Sequence, residues 1–373
     1  MKRSLIAILS IVQLVLAARL VTRLIRTATG KRISASDRTF TSEIGMLVPV
    51  LNEAGRIRPC LDRLIASGSE VAEIVVVDGG STDDTLAIVA DYAQRDPRIR
   101  LVTTEPPPGV NGKAHGLQAG LPLLTTRWVL TIDADVRPET GLAPALLEHA
   151  EREQLAVLSV ATRQQLADRL DQIVHPSMLT TLIYRYGIPG HATTHPADAQ
   201  ANGQCMLIDR DLLNRLGGFA PYAHTIAEDV ALAQAAAHAG ETVGFYETDD
   251  LVSVEMYASG RETISNWSRS LPLADITTSN RAWLDQATLL LLQAAPLWLL
   301  AVTRHHPFAR RINAVLVSLR VGVLAGSRRA YRNPTSLYWL SPLADLPIVL
   351  LIGIRFRQRA YRWRGRIVKR GEA

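Results

Sequence analysis

The sequence predicts an α/β chain in which a mostly parallel sheet, covered on both faces by helices, is flanked by apolar segments. Three observations carry that expectation. Between residues 44 and 132, runs rich in Val, Ile and Leu alternate with stretches of helical spacing. Those runs end, one after another, on polar or acidic residues. The two ends of the chain are apolar and basic, whereas the middle is acidic. Strand–helix alternation of this kind builds parallel pairs with crossovers on both faces.

Taken in order, Ile44 to Leu51 is a first strand, broken by Asn52-Glu53. Arg56 to Ser67 follows with helical spacing at Ile57, Cys60, Leu61, Leu64 and Ile65. Glu73 to Val77 is a second strand ending at Asp78-Gly79-Gly80, and Ser81 or Thr82 is placed to cap a helix running to about Gln94. Arg98 to Thr103 is a third strand, Gly112 to Leu121 a helix, and Trp128 to Ile132 a fourth strand that leads directly into Asp133-Ala134-Asp135. Burying an ionised carboxylate costs more than packing returns unless it is paired or holds a metal. A surface turn, with Asp135 capping toward Glu139, would account for that one tip. It does not account for four polar tips at strand carboxyl ends, namely Asn52-Glu53, Asp78-Gly79, the Pro106-to-Lys113 loop and Asp133-Ala134-Asp135. Ligands bind at that edge in parallel sheets. Acidic side chains there suit a base and ribose, a metal on Asp133 and Asp135 would neutralise a diphosphate, and Lys113 can reach a phosphate. Neither G-x-G-x-x-G nor G-x-x-x-x-G-K-[ST] occurs, so neither a dinucleotide fingerprint nor a P-loop is supported.

At 373 residues the chain has room for two or three domain-sized units. Its net charge of +6 is unevenly spread. Thr39 to Thr303 carries 18 Lys and Arg against 32 Asp and Glu, a balance of −14, and the flanks carry 23 basic and 3 acidic residues, a balance of +20. An acidic middle argues against a nucleic-acid-binding module. Leu5 to Ala18 is uncharged, and extended to Ile25 it reaches bilayer-spanning length, so residues 1–26 are expected to be an amino-terminal anchor. A signal peptide is the competing reading, but no small-x-small cleavage site follows. Arg19, Arg23, Arg26, Lys31, Arg32 and Arg38 follow the segment, against Lys2 and Arg3 before it, which places the following domain in the cytoplasm.

Ala287 to Thr303, Ile312 to Gly326 and Leu337 to Ile354 are further apolar stretches within a carboxyl-terminal membrane region at 285–354, followed by a basic cytoplasmic tail at 355–373. If domain and tail share one side, an even number must cross. The expectation is that two cross and that the segment holding Arg320 lies along the interface or re-enters, with a buried core helix as its alternative. Trp283, Trp298, Trp339 and Trp363 fit interfacial anchors. Cys60 and Cys205 have no CxxC spacing and are expected as free thiols. Tyr184 to Asn202 reads as a long irregular loop over the site, in which proline and glycine argue against a helical His191/His195 metal pair.

The stretches VPVLNEAGRI at 48–57, IVVVDGGSTDDT at 74–85, GKAHGLQAG at 112–120, TIDADV at 131–136, GQCMLIDRDLLNRLGGF at 203–219 and EDVALAQAAAHAG at 228–240 together resemble family-2 glycosyltransferases of the GT-A fold. The resemblance spans about residues 44–270, within a catalytic domain expected at 39–270. It implies a membrane-associated, inverting transferase using a nucleotide-diphospho-sugar, usually UDP-linked, with Mg or Mn on Asp133 and Asp135. It also implies donor-binding roles for Pro49, Asn52, Glu53, Asp78, Lys113 and Asp133, and a catalytic acidic pair at Glu228 and Asp229, with Asp229 as general base. Gly203, Gln204 and Trp267 are implied on the acceptor side. A helix-start pair stabilised by the helix dipole is the plainer reading of Glu228-Asp229, and both can hold. Processive members carry Q-x-x-R-W, whereas this chain has Thr263-Ile-Ser-Asn266-Trp267, which favours addition of a single sugar. MYASGRETISNWSRSL at 256–271 and YRWRGR at 361–366 resemble the carotenoid glycosyltransferases of the diaponeurosporenoate and chlorobactene type. That resemblance implies a lipid-phase acceptor at the cytoplasmic membrane, a carotenoid or carotenoid acid first and a ceramide or hopanoid next. A catalytically silent donor-binding or scaffolding protein is the alternative of another class.

Overall fold

The computed structural model describes residues 2–358, 360–363 and 366–369. Helix α1 (Lys2–Thr27) leads into β1 (Arg32–Ile33), and the alternation begins at β2 (Ile44–Val50), α2 (Ile57–Ile65), β3 (Val71–Asp78), α3 (Thr85–Arg95), β4 (Ile99–Thr103), α4 (Gly112–Gly120) and β5 (Trp128–Ile132). Then come β6 (Val136–Pro138), α5 (Leu142–Glu153), β7 (Val157–Ala161), β8 (Arg163–Gln164), α6 (Asp171–Tyr186), β9 (His191–Thr193), β10 (Cys205–Asp209), α7 (Arg210–Arg215) and α8 (Glu228–His238). β11 (Val243–Thr248), β12 (Val252–Val254), α9 (Gly260–Ser270), α10 (Ser279–Thr288), α11 (Ala295–Val302), α12 (Pro307–Ser327), α13 (Asp345–Phe356), β13 (Ala360–Trp363) and β14 (Arg366–Lys369) complete the order. Among the described residues the main sheet has nine strands, ordered β1-β11-β7-β10-β5-β2-β3-β4 with β9 also on β11. It is parallel except where β10 runs against β5 and β7, and β9 against β11.

The strand pleat sorts side chains to two faces. Met46, Val48 and Val50 of β2 pack with Ile74 and Val76 of β3 and Leu130 of β5 against α2, α3 and α5. Leu47, Val75, Val77 and Val129 point the other way, onto α4, α7 and α8. Both faces are therefore covered, as the apolar runs of β2, β3 and β5 require. A third cluster joins Leu16 and Leu20 of α1 to Tyr184 of α6, Ile312 and Leu316 of α12 and Val349 of α13. Val174 and Met178 of α6 also contact Leu271, Ile348 and Ile352. Helix α6 thus belongs to the sheet's surroundings and to the helical bundle at once.

Ser4–Thr27, Ser279–Val302 and Ser336–Phe356 are, among the described residues, long and apolar enough to cross a bilayer. A π-helical turn at Leu289–Ala294 joins α10 to α11 within the second. Helix α12 is not among them. Its Arg320 is buried, donating from Nε to Asp345 Oδ2 at 2.8 Å and from Nη2 to Asp345 Oδ1 at 3.0 Å and Ser341 Oγ at 2.8 Å. Trp283, Trp298 and Trp339 are exposed, as interfacial anchors would be, whereas the side chains of Trp363 and of YRWRGR fall outside the described residues.

Two local expectations are corrected. Helix α3 starts at Thr85, so neither Ser81 nor Thr82 caps it. Both instead tie the loop to Asn52, whose N–H donates to Ser81 Oγ and whose Oδ1 accepts from Thr82 N–H, each at 2.8 Å. The 184–202 segment is less irregular than expected. It begins as the last turn of α6, adds β9 antiparallel to β11, and contains a 3-10 turn at Pro196–Asp198, because an open edge on β11 offers the backbone partners. His191 lies on that edge strand and His195 stands 3.7 Å from Asp198, and no cluster of three potential metal ligands occurs among the described residues.

Candidate active site at the carboxyl edge of the sheet

One cavity of about 910 Å³ opens at the carboxyl ends of β2, β3 and β5. Asp133 and Asp135 reach it from the end of β5. Lys113 reaches it from the first turn of α4, whose start is fixed by Asn111: the Asn111 side chain accepts from Lys113 N–H at 3.0 Å and Ala114 N–H at 3.4 Å. The Lys113 ammonium lies 2.7 Å from Asp133 Oδ1 and 3.5 Å from Glu228 Oε1, and donates to Gly203 O at 3.0 Å. Asn111 Nδ2 donates to Glu228 Oε2 at 3.0 Å, so one asparagine sets both the lysine's helix and the glutamate.

Asp229 stands at the start of α8. Its Oδ2 accepts from Gly203 N–H at 2.6 Å and its Oδ1 from Val230 N–H at 2.9 Å. Gly203 leaves room for this approach: a Cβ there would lie 2.8 Å from Lys113 Nζ and 3.1 Å from Asp229 Oδ2, so both side chains would have to shift. Helix-start placement and site placement of Glu228-Asp229 therefore coincide. Gln204 is buried beside them, with its Oε1 accepting from Thr162 Oγ1 at 2.6 Å and Asn202 Nδ2 at 3.1 Å.

The charges are strongly interdependent. Burial would lower the Lys113 pKa, but Asp133, Glu228 and Asp229 outweigh it and raise it, so the ammonium stays charged. Burial raises Glu228 to about 7 against the pull of Lys113. Asp229 is raised by the same burial, again opposed by Lys113. Asp135 is pushed to about 7 by burial and then by the neighbouring Asp133 and Glu53 carboxylates. Asp135 Oδ1 is buried without a hydrogen-bond partner, while Asp133 is held by Lys113. A lone buried carboxylate oxygen beside a second carboxylate fits a divalent cation, since Mg-type sites use one or two carboxylates and complete themselves with phosphate and water.

The sequence-predicted residues divide into two groups. Pro49, Glu53, Lys113, Asp133, Asp135, Gly203, Gln204, Glu228, Asp229 and Trp267 all line the cavity. Asn52 and Asp78 support it from behind. Asn52 adopts φ +53 and clasps the Ser81-Thr82 backbone. Asp78 is fully buried, and its Oδ1 accepts from Gly80 and Ser81 N–H, both at 2.8 Å, shaping the loop after β3. Sequence reasoning missed three contributors. Arg56 pairs with Glu53 at 3.1 Å and donates to Met256 O. Asn111 was visible only as the residue before Gly112-Lys113. His175 sits inside α6 and had no local signal, yet it lines the cavity and stacks on Trp267 at 4.4 Å between ring centroids. Cys60 and Cys205 are buried free thiols, and burial pushes both to about 12, so they pack rather than react.

Residues 46–217 match the sequence model of glycosyl transferase family 2. Those residues, a little under half of the chain, are similar in sequence to that family. The match includes Lys113, Asp133 and Asp135, and the fold brings Glu228 and Asp229 to them from beyond its end. The chain is 28% identical over 127 residues to the dodecaprenyl-phosphate galacturonate synthase of Rhizobium johnstonii, covering 33% of this chain and 37% of that one. It is 38% identical over 97 residues to a dolichyl-phosphate beta-glucosyltransferase of Trichomonas vaginalis, covering 24% and 28%. The chain thus spans about a third of the length of the curated relatives it matches. Its fold is similar to that of a mannosyltransferase from Pyrobaculum calidifontis solved in complex with GDP-Man and Mn2+: TM-score 0.56, 20% identity, covering 94% of this chain and all of the other. That likeness is one of fold, and it extends over nearly the whole chain.

Proposed function

We propose that this chain is an inverting glycosyltransferase that moves one sugar from a UDP-sugar to a lipid-phase acceptor at the cytoplasmic membrane. One observation carries the reading: Lys113, Asp133, Asp135, Glu228 and Asp229 face one cavity, which is also walled by apolar side chains of α6 and α12 (Leu179, Leu182, Leu319 and Val323). Residues 39–270 are the catalytic domain, 1–26 an anchor, 285–354 a membrane region and 355–373 a basic tail, in a multi-pass arrangement with the catalytic domain facing the cytoplasm. Pro49, Glu53, Lys113 and Asp133 form the donor side, with Asn52 and Asp78 holding its loops. Asp133 and Asp135 would hold Mg or Mn, which when bound neutralises the donor diphosphate. Asp229, oriented by the N–H groups of Gly203 and Val230, takes the acceptor hydroxyl's proton as its oxygen attacks the anomeric carbon. Glu228, tied to Asn111 and Lys113, holds the lysine in place. Gly203, Gln204 and Trp267 shape the acceptor side, and Asn266-Trp267 in place of the processive motif supports single addition.

The acceptor proposed first is a carotenoid or carotenoid acid, supported by the 256–271 and 361–366 stretches. A polyprenyl phosphate is the second reading, favoured by the names of the two relatives above. Ceramide and hopanoid acceptors share the same logic, whereas a silent scaffold would not need Asp133, Asp135 and Asp229 in one cavity. The test is mass spectrometry of lipid extracts from cells with wild-type chain and with Asp229→Asn. A hexose-sized increment on a coloured polyene, absent in the variant, is the expected result. An increment on a polyprenyl phosphate or sphingolipid transfers the assignment to that acceptor. In purified protein Asp229→Asn is expected to lose transfer by at least a hundredfold, the usual contribution of a general base, while UDP binding persists. Lost UDP binding would move Asp229 to the donor side.

A further inference from the structure

The cavity is lined by carboxylates on one side and by apolar residues on another. Beyond the carboxylates it continues along Leu179 and Leu182 of α6 to Leu319, Gly322, Val323 and Gly326 of α12. Gly322 and Gly326 are four residues apart, so they share one face of the helix. A Cβ placed on either meets no heavy atom within 4 Å. Glycine inside a helix costs about 1 kcal/mol relative to alanine, and here no neighbouring backbone or side chain requires its absence of bulk. What the two glycines preserve is open space. Both are exposed, on a helix whose Phe308, Val315 and Val321 are also exposed, so this arm opens sideways at an apolar surface.

A second, independent feature marks the arm as a ligand site. His175 is buried in its wall, with Nδ1 3.1 Å from the Tyr331 hydroxyl and its ring on Trp267, yet Nε2 has no hydrogen-bond partner. Buried polar nitrogens are rarely left so.

We propose that the arm between α6 and α12 receives the single extended hydrocarbon chain of the acceptor lipid, with Gly322 and Gly326 as its width-determining floor and His175 Nε2 as the contact for a polar group on that lipid. The inference rests on the lipid-acceptor reading above and deepens it. A hydrocarbon chain leaving a bilayer gains little by entering another apolar environment. The arm therefore selects by shape: a chain that fits brings its hydroxyl or carboxyl toward Asp229, and a bulkier one is excluded.

The experiment titrates the purified full chain in detergent with cis-parinaric acid, a linear conjugated tetraene acid whose fluorescence rises on binding, and measures UDP binding in the presence of Mn2+ on the same samples. Wild type and Gly322→Ala/Gly326→Ala are expected to show a saturable site. Gly322→Leu/Gly326→Leu, and independently Leu179→Trp from the α6 wall, are expected to weaken it at least tenfold with UDP binding unchanged. No saturable site in wild type, or equal affinity in either bulky variant once it is shown to be folded by its retained UDP binding, overturns the proposal. So does a copurifying phospholipid that the tetraene fails to displace, because the arm would then hold a structural lipid. If UDP fails to bind any of the proteins while the tetraene binds wild type and the bulky variants lose it with unchanged thermal melts, the arm stands and the donor reading falls.

Discussion

Asp135 concentrates the site's physical problem in one residue: a half-buried carboxylate with one oxygen buried and unpartnered, raised to about 7 by burial and by Asp133 and Glu53. It is stable in the chain only because protonation or a cation relieves it. Asp135→Ala is accordingly expected to abolish the metal-dependent part of UDP binding, measured by titration with and without Mn2+; binding that keeps its metal dependence would remove Asp135 from the metal site. His175 makes a pH prediction. Burial pushes its pKa down to about 3, against roughly 6.5 unfolded. Between those values the unfolded chain binds more protons, so stability falls as pH falls through that window. Going from pH 6.5 to 5, this histidine removes up to about 2 kcal/mol. The His175→Gln variant is expected to show a shallower acid loss in thermal melts. Asp135 and Glu228 are common to both proteins and cancel in the comparison. A parallel loss in wild type and variant would show that His175 is not neutral in the fold. Asp133, Asp135 and Lys113 were legible because their motifs are local in sequence. His175 was not, because its significance lies in a cavity wall formed with α9 and α12.

At the scale of elements, α4 and α8 do for the site what their starts permit: Asn111 and the Gly203 backbone fix Lys113 and Asp229 through main-chain hydrogen bonds rather than through long flexible side chains. The strands β2 and β5 were readable almost to the residue from β-branched runs and the polar residues that stop them. β9 was not, since an edge strand of three residues depends on the partner β11 and leaves little trace in its own sequence. Helix α12 shows the same limit. Its Arg320 reads as an interruption in an apolar stretch, and only the packing reveals Asp345, Ser341, Ser177 and Gln293 gathered into one buried network. Removing one partner of a buried pair costs roughly 3–5 kcal/mol, whereas replacing both with apolar residues is often neutral. Asp345→Ala is expected to destabilise the purified chain by that amount, and Arg320→Met/Asp345→Leu to recover most of it in thermal melts. Equal losses in both variants would mean the network is not a closed unit.

For the whole molecule, the helices beyond the sheet are built into the site's architecture. Arg23 of α1 donates to Tyr184 O at 3.0 Å, Thr27 Oγ1 accepts from Ile188 N–H at 2.9 Å, and Ile188 lines the cavity. Gln13 of α1 also donates to Asn313 of α12 at 3.1 Å within the bundle. Deleting Met1 to Arg26 is expected to weaken membrane attachment without complete release in alkaline-wash fractionation, because Ser279–Val302 and Ser336–Phe356 remain. Complete release would show that neither is membrane-embedded.

By itself the sequence determined the alternating sheet, the acidic edge and the apolar ends, because each is written in short-range periodicity and in residues that neighbour one another along the chain. Only the tertiary structure decided that Asn52 and Asp78 support the site instead of lining it, that Glu228 and Asp229 meet Lys113 across more than a hundred residues, and that α6 and α12 enclose an arm beyond them. Those facts depend on which surfaces pack together, and periodicity in one segment carries no information about the distant segment it will face.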